Sequence, residues 1–287
     1  MWAVFKRELK SYFQNVTGFI FMGFFLLLSG FFFVMMNLLQ SSPQYNSVLS
    51  NITFIFLLVV PILTMRLLSE EARQKTDQLL LTSPLSLTGM ILGKYLAAVA
   101  VFLMTLVVTI IYPVMLSLVG RIYVPEIVGG YLGFLMLGFA FISVGLFISS
   151  LTDNQVIAAV VTFSALLFMW VLEWVQGSLP ADQTAGLIFA GMLVVGVGLF
   201  AYFTTRNLAV AVSVAVLGGA VIAILYLTNK TNFDQFVPKF FQWFSLLKRY
   251  EEFNRGILAI SPIVYYASFS AAFVFLTVRV IEKRRWR

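Results

Sequence analysis

The residue types that support most enzyme chemistry are scarce in this sequence. The chain of 287 residues contains no cysteine and no histidine, which excludes thiolate nucleophiles, disulfides, imidazole bases and the usual zinc and haem ligands. The segment Gly89–Tyr95 faintly resembles a phosphate-binding loop, but its spacing is one residue short and Tyr95 replaces the residue that would hold magnesium. We therefore expect no catalytic, cofactor-binding or metal-binding residue in this chain.

The charged residues that could engage a partner are concentrated in one long polar interruption, Leu68–Leu87. Ser69 can cap a helix there, and Glu70 and Glu71 would lie in its first turn, where negative charge opposes the positive end of the helix dipole. Three consecutive leucines would then expose an apolar end, and Pro84 would stop the helix. Such a helix suits docking into a groove on a partner, whereas the alternative interpretation is an ordinary solvated loop.

The elements that must position this helix are membrane spans. A composition that is 61% hydrophobic cannot be hidden in the core of a soluble domain of this length, and uncharged stretches reach the roughly 20 residues that a helix needs to cross a bilayer. These stretches are uniformly apolar and do not alternate, which favours helices over a barrel. The eight predicted spans are Val16–Leu39, Val48–Leu68, Met90–Val119, Ile127–Leu151, Val156–Trp174, Ala185–Thr205, Leu208–Thr228 and Ser261–Val278.

The distribution of basic residues predicts that both termini are cytoplasmic. With eight spans in that orientation, thirteen of the 19 Lys and Arg residues lie inside. They flank apolar spans and form no single stripe, so nucleic acid is not an expected partner. No span has an ionisable residue near its middle, which disfavours a self-energised carrier. Lys94, at the inner end of the third span, is interpreted as an anchor whose ammonium group extends to the membrane surface.

The N-terminal segment predicts a helix that lies in the inner membrane interface. Trp2, Phe5 and Leu9 recur at helical spacing opposite Lys6 and other basic residues. The simple interpretation is a membrane anchor. The stronger hypothesis is an elbow that couples motion below the membrane to the first span.

Several motifs together resemble the permease subunits of ABC-2 type transporters, with the closest likeness to the gliding-motility F-type branch. They are the opening Met1–Leu9, the runs Pro61–Glu71, Thr76–Ser86 and Ile91–Lys94, the stretch Gly145–Gln155, and the closing Glu282–Trp286. The likeness covers roughly residues 1–175 and 240–287. It departs from the family in having Lys75 where a glycine is frequent, and in exceeding the usual six spans by the hairpin Ala185–Thr228.

The resemblance implies a coupling helix that rests on a separate ATPase subunit, through Glu70, Glu71, Arg73, Thr76, Leu79 and Leu80. ATP and magnesium would be held by that partner, and this chain would perform no chemistry itself. Permeases of this kind work in pairs, so we expect a second copy or a different permease subunit, surrounded by membrane lipid. The expected location is the cell's inner membrane, which the chain crosses several times.

A second implied feature is an outer gate before the last span. Phe236, Phe240, Phe244 and Leu247 repeat at intervals of four and three, which predicts one outer interfacial helix. A gate would comprise Phe240, Trp243, Phe244 and Tyr250, and the alternative interpretation is an aromatic anchor.

The expected architecture is thus all-α and polytopic, a six-helix core plus an extra hairpin. Its parts are the elbow helix (1–15), the first two spans (16–68), the coupling helix (69–88), spans three to five (89–176), the extra hairpin (185–228), the outer interfacial helix (230–256), the last span (261–278) and a basic cytoplasmic tail (279–287). The expected function is that of a permease in an ATP-driven exporter. The alternative is a membrane scaffold or mechanical transmitter of an ATPase-powered envelope or gliding-type complex that transports no solute.

Overall fold

The computed structural model describes residues 1–75, 86–228 and 233–285. This part of the chain is helical and contains no strand, and eight of its helical segments are long and apolar enough to span a membrane. Large apolar side chains, such as Leu118 and Leu227, point outward from these segments, as expected when the surrounding solvent is lipid. The prediction of an all-α polytopic protein with eight spans is confirmed.

The chain divides into two compact units. Unit 1 comprises Met1–Trp170 and Leu246–Arg287, and unit 2 comprises Val171–Ser245. The helices of unit 1 are α1 (Trp2–Gln14), α2 (Thr17–Phe33), α3 (Tyr45–Asn51), α4 (Ile55–Thr64), α5 (Ser69–Gln74), α6 (Leu87–Thr109), α7 (Ile111–Val119), α8 (Val124–Leu151), most of α9 (Gln155–Gln176), α13 (Leu246–Asn254) and α14 (Ile260–Arg285). Those of unit 2 are α10 (Gln183–Thr205), α11 (Leu208–Thr228) and α12 (Phe236–Phe244), besides the end of α9.

The core of unit 1 surrounds α8. Phe134 on this helix packs against Phe25, Phe56 and Phe102, with ring centroids 6.1, 4.6 and 6.2 Å away. Gly138 lies directly under the Phe102 ring, so any side chain there would collide with it. Small residues therefore let neighbouring helices approach α8 closely, which is how helices associate in a medium that offers no hydrophobic drive.

Several predicted spans are interrupted. The first ends in a π-helical turn, Val34–Leu38, and the second is built from α3, a short 3₁₀ turn and α4. The expected single outer helix is wrong, because Ser245 has an extended conformation and separates α12 from α13. Helical periodicity could not show this break, since the spacing of aromatic residues continues through it.

Unit 2 contains the extra hairpin as two helices joined through Arg206, which has a left-handed conformation with a φ of 54°. Asp182 begins α10, and its carboxylate accepts a hydrogen bond of 3.2 Å from the backbone amide of Ala185. Gly218 of α11 allows close packing against Val194 of α10.

Candidate functional site

The short helix α5 holds the described part of the predicted coupling segment. It carries Glu70, Glu71 and Arg73, and it ends at Gln74 because Lys75 adopts a left-handed conformation with a φ of 55°. This is the position where glycine was expected from the resemblance, and glycine is the residue that best tolerates such a φ. Thr76, Leu79 and Leu80 lie outside the described residues.

Ser69 is not the cap of this helix, contrary to the prediction. Leu68 is the N-cap residue, and Ser69 already lies inside α5, where its hydroxyl donates to the carbonyl oxygen of Met65. The preceding turn, which connects α4 to α5, keeps enough helical character that the helix begins one residue earlier than expected.

Ser149, a buried residue of α8, forms hydrogen bonds with the turn between α4 and α5. The Ser149 hydroxyl donates to the Met65 carbonyl oxygen at 3.2 Å and accepts from the backbone amides of Leu68 and Ser69 at 3.1 and 3.2 Å. Tyr12 of α1 donates to the Leu63 carbonyl oxygen at 2.7 Å. These bonds satisfy backbone groups freed by the helix break. They attach the end of α4 to α1 and the base of α5 to α8.

The main charged feature is a group of four side chains that we call the ion network: Arg7, Glu8, Glu71 and Lys94. The ammonium group of Lys94 lies 2.9 Å from Glu71 Oε1 and 3.1 Å from Glu8 Oε1. Arg7 Nη2 lies 2.6 Å from Glu8 Oε1 and 2.8 Å from Glu71 Oε1. The network therefore joins α1, α5 and α6 through charge-assisted contacts.

The interpretation of Lys94 as an anchor that extends to the membrane surface is wrong. Its side chain is only 1% exposed and ends between two carboxylates. The cause is the packing of α1 over α6. A Cβ atom at Gly93 would lie 3.0 Å from the Met1 carbonyl oxygen and 3.1 Å from Val4 Cβ, so the missing side chain lets α1 cover Lys94.

The surroundings of Glu8 shift its titration. Burial by itself would raise the pKa of this carboxyl, but the charges and hydrogen bonds of Lys94 and Arg7 outweigh burial and lower the pKa below its usual range. The pKa of Arg7 is raised, because Glu8 and Glu71 outweigh the opposing effect of burial. Both groups therefore keep their charges at neutral pH.

A second charged contact lies beside the network. Arg66 donates to Glu70 through Nε and Nη2, both at 2.8 Å, and its Nη1 donates to Thr17 Oγ1 at 2.9 Å. The Arg66 and Glu70 side chains are each 28% exposed. A small polar cleft of about 40 Å³, lined by Glu8 and Tyr12 as well as by this pair, lies between the two charged features.

The predicted elbow residues occupy α1. Trp2 is exposed and its ring stacks on Phe5 with centroids 4.9 Å apart, whereas Phe5 and Leu9 are half-buried. The most buried side chains of α1 are Val4 and Tyr12. The helix thus packs on the protein through a face that lies beside the predicted aromatic line. Its position in a membrane interface stays a prediction.

The four predicted gate residues are divided between the two units. Tyr250 is buried in unit 1 and packs against Phe134 with ring centroids 6.3 Å apart. In unit 2, Phe240 packs against Phe189 at 5.2 Å, Trp243 is exposed, and Phe244 ends α12. The gate stays a prediction.

Sequence reasoning identified Glu71 but missed its intramolecular partners. Two signals were available: a lysine directly after a glycine in an apolar span, and a glutamate on an otherwise basic amphipathic helix. Neither specifies a contact, because the two residues are 86 positions apart. Among the described residues, no group of acidic side chains is arranged to hold a metal ion.

Comparison with known proteins shows one family match, which covers part of this site. Residues 40–182 match the family described as ABC-2 family transporter protein, a range that contains α5, Lys94 and Ser149. No curated protein matches the chain. The family match supports an ABC-2 type permease, a membrane component that typically works with an ABC ATPase. The likeness to the gliding-motility F-type branch stays a prediction.

Proposed function

From the ABC-2 transporter domain in residues 40–182, we propose that this chain is the permease subunit of an ATP-driven exporter, whose separate ATPase subunit grips α5 and the segment after it. Both termini and α5 then lie on the cytoplasmic side of the inner membrane. Support for this orientation comes from the excess of basic residues on that side. The export direction rests on the resemblance to ABC-2 permeases.

The ion network is the observation that carries the proposal. A helix that receives force from a partner must be attached firmly to the helices it moves. Glu71 attaches α5 to Lys94 of α6 and to Arg7 of α1, while Ser149 attaches the base of α5 to α8. On the solvent side, Arg73 is exposed and is available to the ATPase.

Force on α5 would move α1 and α6 with it. Separating α5 from Lys94 would leave a buried charge without full compensation, which costs several kcal/mol. The low-energy response to ATP binding and hydrolysis is therefore a joint displacement of these helices, which opens or closes the pathway between permeases. A second copy of this chain, or a different permease, completes that pathway.

The first test separates docking from transmission. The tagged chain is purified from its native cells in mild detergent, and co-purifying proteins are identified by mass spectrometry. We expect an ABC ATPase, and we expect Arg73→Glu to reduce its recovery at least about tenfold, because an exposed contact charge is reversed. The matched control is Arg255→Glu, an exposed arginine outside α5. Absence of an ATPase from the wild-type sample rejects the proposal.

Transmission is tested in the purified complex with a single fluorophore. Because the chain has no native cysteine, Lys10→Cys places one label on the exposed side of α1. We expect ATP to change its fluorescence in the wild-type background, and we expect Lys94→Met to abolish the change while the ATPase stays bound. An ATP response that persists in Lys94→Met contradicts transmission through the ion network. ATP-driven solute movement in vesicles then distinguishes an exporter from a non-transporting scaffold.

A further inference from the structure

A second polar site lies where the candidate spans Thr17–Leu38 and Leu87–Leu118 end, at the opposite end of the latter span from Lys94. It is a pocket of about 310 Å³ in unit 1, lined by Asn37, Ser41, Ser42, Arg121, Leu38, Pro43, Leu116 and Gly120. The volume falls in the range of about 300–1,000 Å³ that is typical of small-molecule sites. We call it the Arg121 pocket.

Asn37 contributes a hydrogen-bond acceptor that the protein leaves unused. Its side chain is 2% exposed, and its Nδ2 donates to the Ser42 carbonyl oxygen at 2.7 Å. Its Oδ1 is buried and has no hydrogen-bond partner among the described residues. Leaving such an acceptor unpaired is unfavourable, so a ligand that donates a hydrogen bond to it would be stabilised.

The local backbone around Asn37 departs from regular structure. Asn37 lies in the π-helical turn Val34–Leu38, a feature that is frequent at functional sites. Ser41, on the pocket wall, has a left-handed conformation with a φ of 50°, which is uncommon for a residue with a side chain. The Ser42 amide returns to the Asn37 carbonyl oxygen at 3.0 Å, and so the loop is held in the shape that forms the pocket.

Arg121 supplies a positive charge to the same pocket. No ion pair or hydrogen bond of its guanidinium occurs within the described residues, and no carboxylate lines this pocket. Glu126 lies in an adjoining smaller pocket, of which Arg121 and Pro43 also form part. A guanidinium of this kind binds phosphate well, because its donors match two phosphate oxygens.

The pocket also has an apolar side and lies where two candidate membrane spans end. Leu38, Pro43 and Leu116 provide apolar walls. The candidate spans Thr17–Leu38 and Leu87–Leu118 both end here, at the level where hydrocarbon gives way to the polar interface. A ligand there would place an apolar part against these residues and a polar part toward Arg121.

We propose that the Arg121 pocket binds a phosphate ester that carries a hydroxyl or amine, the chemistry of a glycerophospholipid headgroup. Its phosphate pairs with Arg121 and its hydroxyl or ammonium donates to Asn37 Oδ1. The same chemistry occurs in a soluble glycerophosphate, so the test distinguishes the two sources. The proposal does not depend on the direction of transport or on the ATPase.

The test is native mass spectrometry of the full chain, delipidated in detergent and titrated with phosphatidylglycerol, phosphatidylethanolamine or phosphatidylcholine of identical acyl chains. Phosphatidylethanolamine and phosphatidylcholine have the same net charge, but only phosphatidylethanolamine has a headgroup donor for Asn37, so this pair tests the acceptor without changing the protein. We expect phosphatidylethanolamine to bind about tenfold more tightly than phosphatidylcholine, which corresponds to one hydrogen bond. Equal binding of these two lipids overturns the proposal.

The role of Arg121 is tested with Arg121→Gln, and Arg255→Gln serves as the matched control because it is an exposed arginine of the same unit outside the pocket. We expect Arg121→Gln to weaken phosphatidylglycerol binding about tenfold and Arg255→Gln to leave it unchanged. Competition by soluble glycerol 3-phosphate identifies a soluble ligand, and its absence identifies the lipid. Unchanged binding in Arg121→Gln overturns the proposal, and the wild-type lipid comparison stands even if this variant fails to fold.

Discussion

Glu70 and Glu71 are neighbours in the sequence, but α5 places them in two different environments. Glu71 reaches Lys94, which is 1% exposed, and Arg7, and thereby joins three helices. Glu70 pairs with Arg66 four residues earlier, and both of these side chains are 28% exposed. Water can compensate the loss of the second contact but has little access to the first. We therefore expect the ion network to contribute more to the stability of the fold than the Arg66–Glu70 pair, although the distances between the charged atoms are similar.

The largest expected effect comes from removing the buried cation. Lys94→Met leaves the carboxylates of Glu8 and Glu71 close together with Arg7 as their remaining cation, and we expect a loss of about 3–5 kcal/mol in the free energy of unfolding. The measurement is the melting temperature of the full chain in detergent. Lys10→Met, an exposed lysine on α1, is the control and should melt like the wild type. If both variants melt at the same temperature, Lys94 contributes no more to the stability of the fold than the exposed Lys10.

An intermediate effect is expected from pH. The pKa of Glu8 is lowered on folding, so this group stabilises the folded protein above its unfolded pKa of about 4.3. That stabilisation is lost as the pH falls through the lower folded pKa. The melting temperature should thus lose the Glu8 contribution only below about pH 4.

The matched variant for this measurement is Glu8→Gln, compared with the wild type over the same pH series. The difference in melting temperature between the two proteins should be constant near neutral pH and should shrink under acid conditions. A difference that is already gone at pH 6 would mean that Glu8 does not hold its charge in the network.

The smallest effect is expected at the half-buried pair Arg66 and Glu70, which is more exposed than the ion network. Arg66→Gln and Glu70→Gln should each change the free energy of unfolding by at most about 1 kcal/mol, and a double-mutant cycle should give a coupling of the same order or less. The coupling should also weaken in high salt, because exposed charges are screened. A coupling free energy as large as the loss expected for Lys94→Met would show that the two charged features contribute equally to stability.

Much of the fold could be predicted because a bilayer permits few solutions. A backbone in hydrocarbon must satisfy its hydrogen bonds within each segment, so apolar length alone located the eight spans and the extra hairpin. The same reasoning failed at Ser245, where an extended residue breaks a helix, and at Ser69, where the helix begins one residue earlier than expected. Periodicity does not contain that information.

About half of the candidate site could be predicted from the sequence. The polar interruption drew attention to Glu70, Glu71 and Arg73, because they are charged and lie together in a long polar stretch between two apolar spans. The partners Arg7, Glu8 and Ser149 could not be identified, since they come from α1 and α8. Lys94 was misinterpreted for the same reason: a lysine near a span end usually reaches water, and only the covering α1 prevents it.

The sequence by itself determined that lipid surrounds most of the chain, that the chain is helical, and that it has no cysteine or histidine chemistry. These properties follow from composition and from the length of the apolar stretches. Tertiary structure decided which charges are buried. The close approach of α1 at Gly93 converts Lys94 from an expected surface anchor into the centre of the ion network. Asn37, whose Oδ1 has no hydrogen-bond partner among the described residues, lines the same pocket as Arg121. The burial of Lys94 and the meeting of Asn37 with Arg121 both join segments far apart in the chain, which no local pattern of residues encodes.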